Sequence, residues 1–528
     1  MRFVRLLLTA LLLLPSLARA EPADEALAAI GSSNFDETRR GVEQLAVSGN
    51  PRAADIIGAL QASALFVRGD HRLFIKGADG AMREAETGKP APDVAQSMLK
   101  PVRINNNIRR SIEAALGSLQ LFSPDPSIRL QAAEAVFKSR DPATLPALER
   151  AIGTESDAGV KRVMAQARAA AILSASVGTE ADRLTAISVV AARGDLDARS
   201  LLASLANQPK PIASAAARAV STIDVSLQLW NLAQSVFYGL SLGSVLLLAA
   251  AGLAITFGVM GVINMAHGEM VMIGAYVTFL VQLAIRSTIP GLSEASLIVA
   301  VPLAFLVTAL LGVAIERGLI RFLYGRPLET LLATFGISLL LQQTVRSIFG
   351  PTNREVSTPS WMSGATQLGQ LTITHNRMVI MIFSVLVVAA LMATLRATSL
   401  GLRMRAVTQN RQMAAAMGIN TPWIDAMTFG LGSGVAGMAG VALSQIDNVS
   451  PNLGQSYIVD SFMVVVFGGV GNLWGTVVGA FTLGIVNKFL EPVAGAVLGK
   501  VVVLLLLILF IQRRPRGMFP IKGRTAEA

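Results

Sequence analysis

The pattern of apolar and polar positions divides the chain into three unlike stretches. In the first, Arg2 and Arg5 precede a mainly apolar run, Leu6–Leu17, and Ala18-Arg19-Ala20 gives a small-x-small pattern before Glu21. That is the layout of a secretory leader over residues 1–20 with cleavage after Ala20. The apolar run is short beside the roughly 20 residues a membrane span needs, which speaks against an uncleaved first span. A leader of this kind predicts that Glu21 lies outside the cytoplasm. The second stretch, residues 21–220, has Ala, Leu and Ile recurring at three- and four-residue spacing, as in Ile128-Arg129-Leu130-Gln131-Ala132-Ala133. That period predicts helices with one apolar stripe. Similar blocks begin near Asp36, Gly159, Glu180 and Pro211, each pairing an Arg with small apolar residues, and Asp125-Pro126 and Asp141-Pro142 break the pattern between some of them. One interruption, Arg72–Lys76 before Ala78-Asp79-Gly80, reads as a strand and a turn.

The third stretch starts at Leu229. Apolar runs fall near 235–257, 266–285, 296–315, 329–349, 378–395, 424–444, 456–470, 475–490 and 497–512. Several are full spans. The pair 456–470 and 475–490 is short and broken by glycines, so two spans or one re-entrant hairpin both fit it. The predicted fold class is all-α: a polytopic membrane helix bundle over 229–515, preceded by an exported α-helical domain over 21–220 and followed by a short tail, 516–528. The irregular helical pairs of 21–220 are similar to HEAT-type repeats. No catalytic pair stands out there, and a binding or scaffolding role is expected.

Composition sharpens this division. The chain has 528 residues, 52% hydrophobic and 15% charged, against about 25% charged in soluble proteins, which excludes an ordinary soluble enzyme. The net charge of +11 is unevenly placed. Residues 21–225 balance 24 acidic against 24 basic side chains, whereas 226–528 carry 18 basic and 10 acidic ones. Basic residues in a hydrophobic region report topology before they report nucleic acid, and no nucleic-acid partner is predicted. With the amino terminus exported, Arg317, Arg321, Arg326, Arg396, Arg403, Arg405, Arg411, Arg513, Arg514, Arg516, Lys522 and Arg524 all fall on the cytoplasmic side. The leader and the positive-inside rule therefore agree, and an odd number of crossings, seven or nine, puts the tail in the cytoplasm. There is no cysteine, and the three histidines are far apart, so neither a thiolate chemistry nor a metal centre is expected.

Candidate functional residues fall in three groups. Around 396–423, the segment Arg405–Met417 favours a short helix stopped by Gly418 with Pro422 beyond. Two readings fit it: a helix presenting Ala415 and Ala416 to a soluble partner, or a topological anchor whose Arg405 and Arg411 only set orientation. Polar residues form the second group. Asn264, His267 and Glu269 follow a glycine break after the first span, where local support, solute contact and plain wetting at the span end all suit them. Thr334, Ser338 and Gln342, at i, i+4 and i+8, share one helix face with Gln343 one step off. Hydroxyls and amides both donate and accept, which suits a small neutral polar solute, but equally a neighbouring helix. The third group is glycines. Gly471, Gly475 and Gly479 have close-packing spacing, Gly468, Gly469 and Gly471 could make an unwound turn, and Phe257-Gly258-x-x-Gly261 recurs as Phe467-Gly468-x-x-Gly471. The chain lacks the G-x-x-x-x-G-K-[ST] loop, so any ATPase must be another polypeptide, and no catalytic site or cofactor is predicted.

Three blocks carry a family resemblance: Gly258–Glu269, Ala333–Ser338 running to Gln342-Gln343, and Phe467–Gly475 with Gly479-Ala480. Over about 229–520 they resemble the branched-chain amino acid permeases of ABC importers. The segment ending at Gly418 resembles those permeases' coupling helix, although Gln412-Met413-Ala414 stands where the family has Glu-Ala-Ala. The exported helical extension is similar to what precedes the permease in the urea-transporting branch. The resemblance implies an inner-membrane permease subunit, most simply for urea, taking solute from a periplasmic binding protein. It also implies a second permease subunit and two cytoplasmic ATPase subunits. The alternatives are a branched-chain amino acid as solute, an ATP-independent channel or carrier, and a membrane-anchored scaffold.

Overall fold

The computed structural model describes residues 22–32, 34–48, 50–77, 80–91 and 99–519. The predicted leader, Ala78-Asp79 of the predicted turn and the end of the basic tail lie outside them. The protein is 75% helical with almost no sheet, the all-α class the sequence predicts. It divides into two compact units, Met1–Leu227 and Gln228–Ala528.

In the first unit the helices are α1 (Pro22–Ile30), α2 (Phe35–Val47), α3 (Ala53–Gln61), α4 (Asn106–Gln120), α5 (Pro126–Ser139), α6 (Leu145–Thr154), α7 (Ala158–Ala175), α8 (Glu180–Ala191) and α9 (Leu196–Ala203). Their starts are written locally. Asp125 accepts from Ser127 N with Pro126 in the first turn, Asp157 accepts from Gly159 and Val160 N, and Thr179 and Asp182 form a capping box. The Asp-Pro breaks of the sequence are thus helix starts, because the Asp side chain satisfies an orphan N–H and Pro has none to leave unpaired. Apolar stripes close into two cores, one around Ile30, Leu45, Ile57 and Ile112 and one around Phe137, Leu148, Met164 and Val190.

The region is less purely helical than its periodicity predicts. A four-stranded antiparallel sheet, ordered β3-β2-β1-β4, joins β1 (Leu65–Val67), β2 (Leu73–Lys76), β3 (Met82–Glu84) and β4 (Lys100–Pro101). Only β2 was legible, since strands of two or three residues are too short to show alternation.

Between α5 and the end of α6 the Arg129 guanidinium forks onto Glu155, Nε to Oε2 at 2.6 Å and Nη2 to Oε1 at 2.9 Å, and Asp157 N adds a bond of 2.9 Å. The Arg129 hydrogen bonds, then the Asp157 N–H, hold the Glu155 carboxyl at about 2. A depressed carboxylate contributes stability above its unfolded value, and that contribution fades as pH falls from about 4.5 towards 2. Glu155→Gln should therefore flatten the acid limb of a thermal-unfolding series on the full chain in that window; an unchanged slope would refute the assignment.

The second unit holds the membrane segments. Helix α10 (Lys210–Met260) is assigned across the unit boundary, and its later part belongs here, with α11 (His267–Thr288), α12 (Ser296–Gly318), α13 (Pro327–Phe349), α14 (His375–Ala397), α15 (Ser399–Gln409), α16 (Arg411–Ala416), α17 (Thr421–Leu443), α18 (Leu453–Gly468) and α19 (Leu473–Arg513). A short hairpin, β5 (Ala365–Leu368) with β6 (Leu371–Thr374), precedes α14. Among the described residues seven helical segments are long and apolar enough to cross a membrane, and α18 is a shorter apolar helix. The last of the seven is folded: Gly495 leaves helical geometry at φ 76°, and a Cβ on Gly499 would lie 3.5 Å from the Leu490 Cβ. The chain doubles back there, so α19 has two legs. With α18 this accounts for all nine apolar runs of the sequence.

Helix α17 is the hub, buried along most of its length against α11 and α12. Contact is backbone on backbone: a side chain at Gly274 would overlap the Gly437 carbonyl, and one at Gly440 would overlap that of Val271. Such approach maximises dispersion where lipid offers no hydrophobic drive.

Candidate functional site

The polar stripe of α13 is its buried face. Thr330, Thr334, Ser338 and Gln342 are buried, whereas Leu328, Leu332 and Leu340 of the same helix are exposed. Across from it lies the segment linking α10 to α11. Gly261, at φ 70°, turns the chain after α10, and α11 starts only at His267. Thr334 Oγ1 accepts from Met265 N at 3.2 Å. Ser338 Oγ and Gln342 Nε2 both donate to Glu269 Oε1, at 2.9 and 2.8 Å. The polar stripe of α13 and the polar residues after α10 thus form one cluster, with Ser338 and Gln342 on Glu269 and Thr334 on the linker backbone beside it.

The depth of this cluster corrects one expectation. Asn264, His267 and Glu269 are each 1% exposed, so wetting at a span end does not describe them. Ser338 stands eleven residues into α13, roughly 16 Å along its axis at 1.5 Å per residue, about half a hydrocarbon thickness of ~30 Å. The linker therefore dips inward before α11 begins. Irregular backbone at such depth persists where protein covers it.

Two further placements separate residues that the sequence grouped. His267 faces α10, its Nε2 2.8 Å from the Ala249 carbonyl, and takes no part in the Glu269 cluster. Gln343 is exposed on the other face of α13. Glu269 Oε2 in the cluster and Asn264 Nδ2 on the linker are buried with no protein partner among the described residues, one an acceptor and one a donor. Asn264 Oδ1 is already used, accepting from Ala266 N at 3.0 Å. An unpaired buried polar group is destabilising by about 1–3 kcal/mol, so each of these two atoms carries unused hydrogen-bonding capacity.

The glycine motifs meet in space. Gly258 of the first copy packs against Gly471 of the second, where an added Cβ would strike the Gly471 Cα, and Gly261 and Gly471 both carry positive φ in turns that end a helix. Gly469, at φ 104°, belongs to the same unwound turn between α18 and α19; Gly468 packs on Gly475, and Gly479 packs near the Val464 carbonyl. Both readings of these glycines, close packing and unwinding, hold at different positions.

The segment predicted as one helix, Arg405–Met417, is two. Asn410 adopts extended backbone (φ −153°) and its side chain accepts from Met413 N, ending α15 and capping α16. Asn competes with helical hydrogen bonding in this way, and Ala-rich propensity on either side did not reveal it. Gly418, at φ 83°, stops the segment as expected. Ala415, Ala416, Met413 and Met417 are exposed, while Ala414 is buried. The two arginines are held from below. Arg405 donates to the Leu395 carbonyl. Arg411 pairs with the buried Asp425 of α17, one bond at 3.1 Å, and lies 3.9 Å over the Tyr324 ring. Arg411 therefore ties α16 to α17 and to the segment after α12. Asp425 and its neighbour in this corner, the buried Glu316, were missed in the sequence; the signal was there, as single acids inside apolar runs.

Residues 235–511 match the family described as branched-chain amino acid transport system, permease component. The chain is 33% identical over 294 residues to the high-affinity branched-chain amino acid transport system permease protein LivH of Salmonella typhimurium, covering 54% of this chain and 94% of that one. It is 30% identical over 300 residues to the corresponding protein BraD of Pseudomonas aeruginosa, covering 55% and 96%. A shorter match, 30% over 114 residues and 35% of the relative, is to the ribose import permease protein RbsC of Bacillus subtilis. No solved structure matches. The family match lies wholly within the second unit, and the chain belongs to the permease-component family of branched-chain amino acid transport systems.

Proposed function

We propose that the chain is the solute-conducting permease subunit of an ATP-binding cassette importer of the cytoplasmic membrane, with Glu269 at the centre of its solute path. The observation that carries this is the buried contact of Glu269 with Ser338 and Gln342, and of the linker before it with Thr334, which leaves Glu269 Oε2 and the linker's Asn264 Nδ2 without partners among the described residues. Ionisable groups inside a membrane face a pathway or an interior partner, and this one retains unused capacity. The exposed Met413, Ala416 and Met417 of α16 offer an apolar face to a cytoplasmic ATPase subunit. Arg411, anchored on Asp425, transmits its push to α17, the hub of the bundle. A second permease subunit would cover the exposed apolar face of α13, with Leu328, Leu332 and Leu340, and a periplasmic binding protein would deliver solute from outside the cell. The arginine-rich end of the second unit, with Arg317, Arg396, Arg403, Arg405 and Arg513, fits the cytoplasmic side.

For the solute, the names of the relatives favour a branched-chain amino acid: its ammonium suits Glu269 and its carboxylate suits Asn264 Nδ2. Urea is the second reading, favoured by two observations. The cluster's donors are neutral amides and hydroxyls with no cation to meet a carboxylate, and the helical first unit lies outside the family match. The test is copurification of the full assembly, followed by ATPase and uptake assays in proteoliposomes with leucine- or urea-loaded binding protein. Stimulation by one solute alone assigns it. ATP-independent uptake of either would replace the importer reading with a carrier.

A further inference from the structure

A cavity of about 360 Å³ opens at the arginine-rich end of the second unit, bounded by the ends of α10 and α14, by α15, and by the first turn of α19. Its chemistry is divided. Met392 and Leu395 supply an apolar wall continuous with the exposed apolar face of α14, where Ile382, Val385 and Leu386 are more than half exposed. Above that wall stand two guanidiniums, Arg396 and Arg405. Among the described residues no carboxylate lines the cavity. Arg396 has no ion pair or hydrogen-bond acceptor among the described residues. Arg405 spends one N–H on the Leu395 carbonyl, which orients it without neutralising it. Trp474, 55% exposed, sits on the rim.

We infer that this cavity is a binding site for the phosphate headgroup of an anionic phospholipid, with Arg396 and Arg405 as its cationic clamp and the α14 wall as the bed for an acyl chain. Two unneutralised guanidiniums favour a phosphate, to which they can donate in parallel. An apolar wall reaching the lipid-facing surface favours a phosphate that carries a tail. The tryptophan fits the headgroup level, where its amphipathic ring partitions, and basic pockets between membrane helices are known to take acidic headgroups. The site touches α15, which leads directly into α16, so its occupant would brace the segment that α16 belongs to. This inference needs only the membrane embedding of the second unit and is independent of the solute.

The test uses the full-length chain in nanodiscs of phosphatidylcholine with or without phosphatidylglycerol. Phosphatidylglycerol brominated on its acyl chain should quench tryptophan fluorescence, brominated phosphatidylcholine should quench it less, and Trp474→Phe should remove the difference. Arg396→Gln, which breaks no protein contact, should weaken apparent phosphatidylglycerol affinity roughly fivefold, in keeping with about 1 kcal/mol per surface cation, and Arg396→Lys should restore most of it. Equal quenching by both lipids overturns the proposal. So does displacement of the brominated lipid by millimolar inorganic phosphate, which would assign a free anion. Loss of ATPase-subunit association by Arg396→Gln in pure phosphatidylcholine would assign the arginines to a protein partner instead.

Discussion

Glu269→Ala should abolish most solute uptake, lowering it at least about tenfold, while the protein still reaches the membrane at near-normal level. The reasoning is local. Removing the carboxylate leaves the Ser338 hydroxyl and the Gln342 amide buried without their common acceptor, each orphan destabilising by about 1–3 kcal/mol. It also erases the free oxygen proposed to receive the solute's N–H. Glu269→Gln separates the two effects. Its carbonyl can still accept from Ser338 and Gln342, so packing survives, whereas the ionisable carboxyl group is gone. For a cationic ammonium on the solute, the Gln variant should remain nearly as defective as Ala; for a neutral amide it should recover part of the uptake. Uptake normalised to membrane protein, measured with leucine and with urea, reads this directly. Wild-type uptake by the Ala variant would remove Glu269 from the pathway.

The second large effect is expected at the α11–α17 seam. Gly440→Val places a branched side chain where the Val271 carbonyl and the Ala275 amide already sit. No rotamer relieves a clash at Cβ, so the helices must separate. Overpacking of this kind is destabilising by about 3 kcal/mol or more, and here it parts the hub from the helix whose first turn carries Glu269. The variant should lose most folded protein, seen as detergent-resistant fluorescence or a collapsed gel-filtration peak, and with it all transport. Gly336→Ala, where an added methyl meets nothing within 4 Å, is the control and should behave as wild type. Normal yield from Gly440→Val would show that the seam is not as tight as described.

Much of the candidate site was legible because membrane helices obey simple periodicities. Thr334, Ser338 and Gln342 recur every four residues in an apolar run, and such a stripe must turn away from lipid wherever the helix lies. Asn264 and Glu269 stood out because few polar groups exist in that region. What the spacing could not give was that the two sets meet, since a separation of 69 positions between Glu269 and Ser338 carries no information on which faces oppose. Nor could it give depth. The linker 261–266 reads like any loop at a span end, and only its contact with Thr334, well inside α13, carries it to the interior. His267 and Gln343 were grouped with their neighbours for the same reason: adjacency in sequence is not a shared direction.

Elsewhere the loss was of a different kind. Asn410 divides the predicted coupling helix because a single side-chain hydrogen bond to Met413 N outweighs the weak propensity of a short segment. The pairing of Arg411 with Asp425 joins residues of two different helices, and neither segment's own pattern names the other as its partner.

The chain by itself determined the class of molecule, the number of apolar legs, the helix starts of the first unit and the identity of the polar stripe. Each follows from local propensity, capping chemistry and the intolerance of hydrocarbon for unpaired polar groups. Tertiary structure alone decided the hairpin at Gly495, the inward linker, the backbone contacts around α17 and the convergence on Glu269. Those depend on which helix faces come together, and packing across distant segments is a cooperative property that no single stretch of sequence carries.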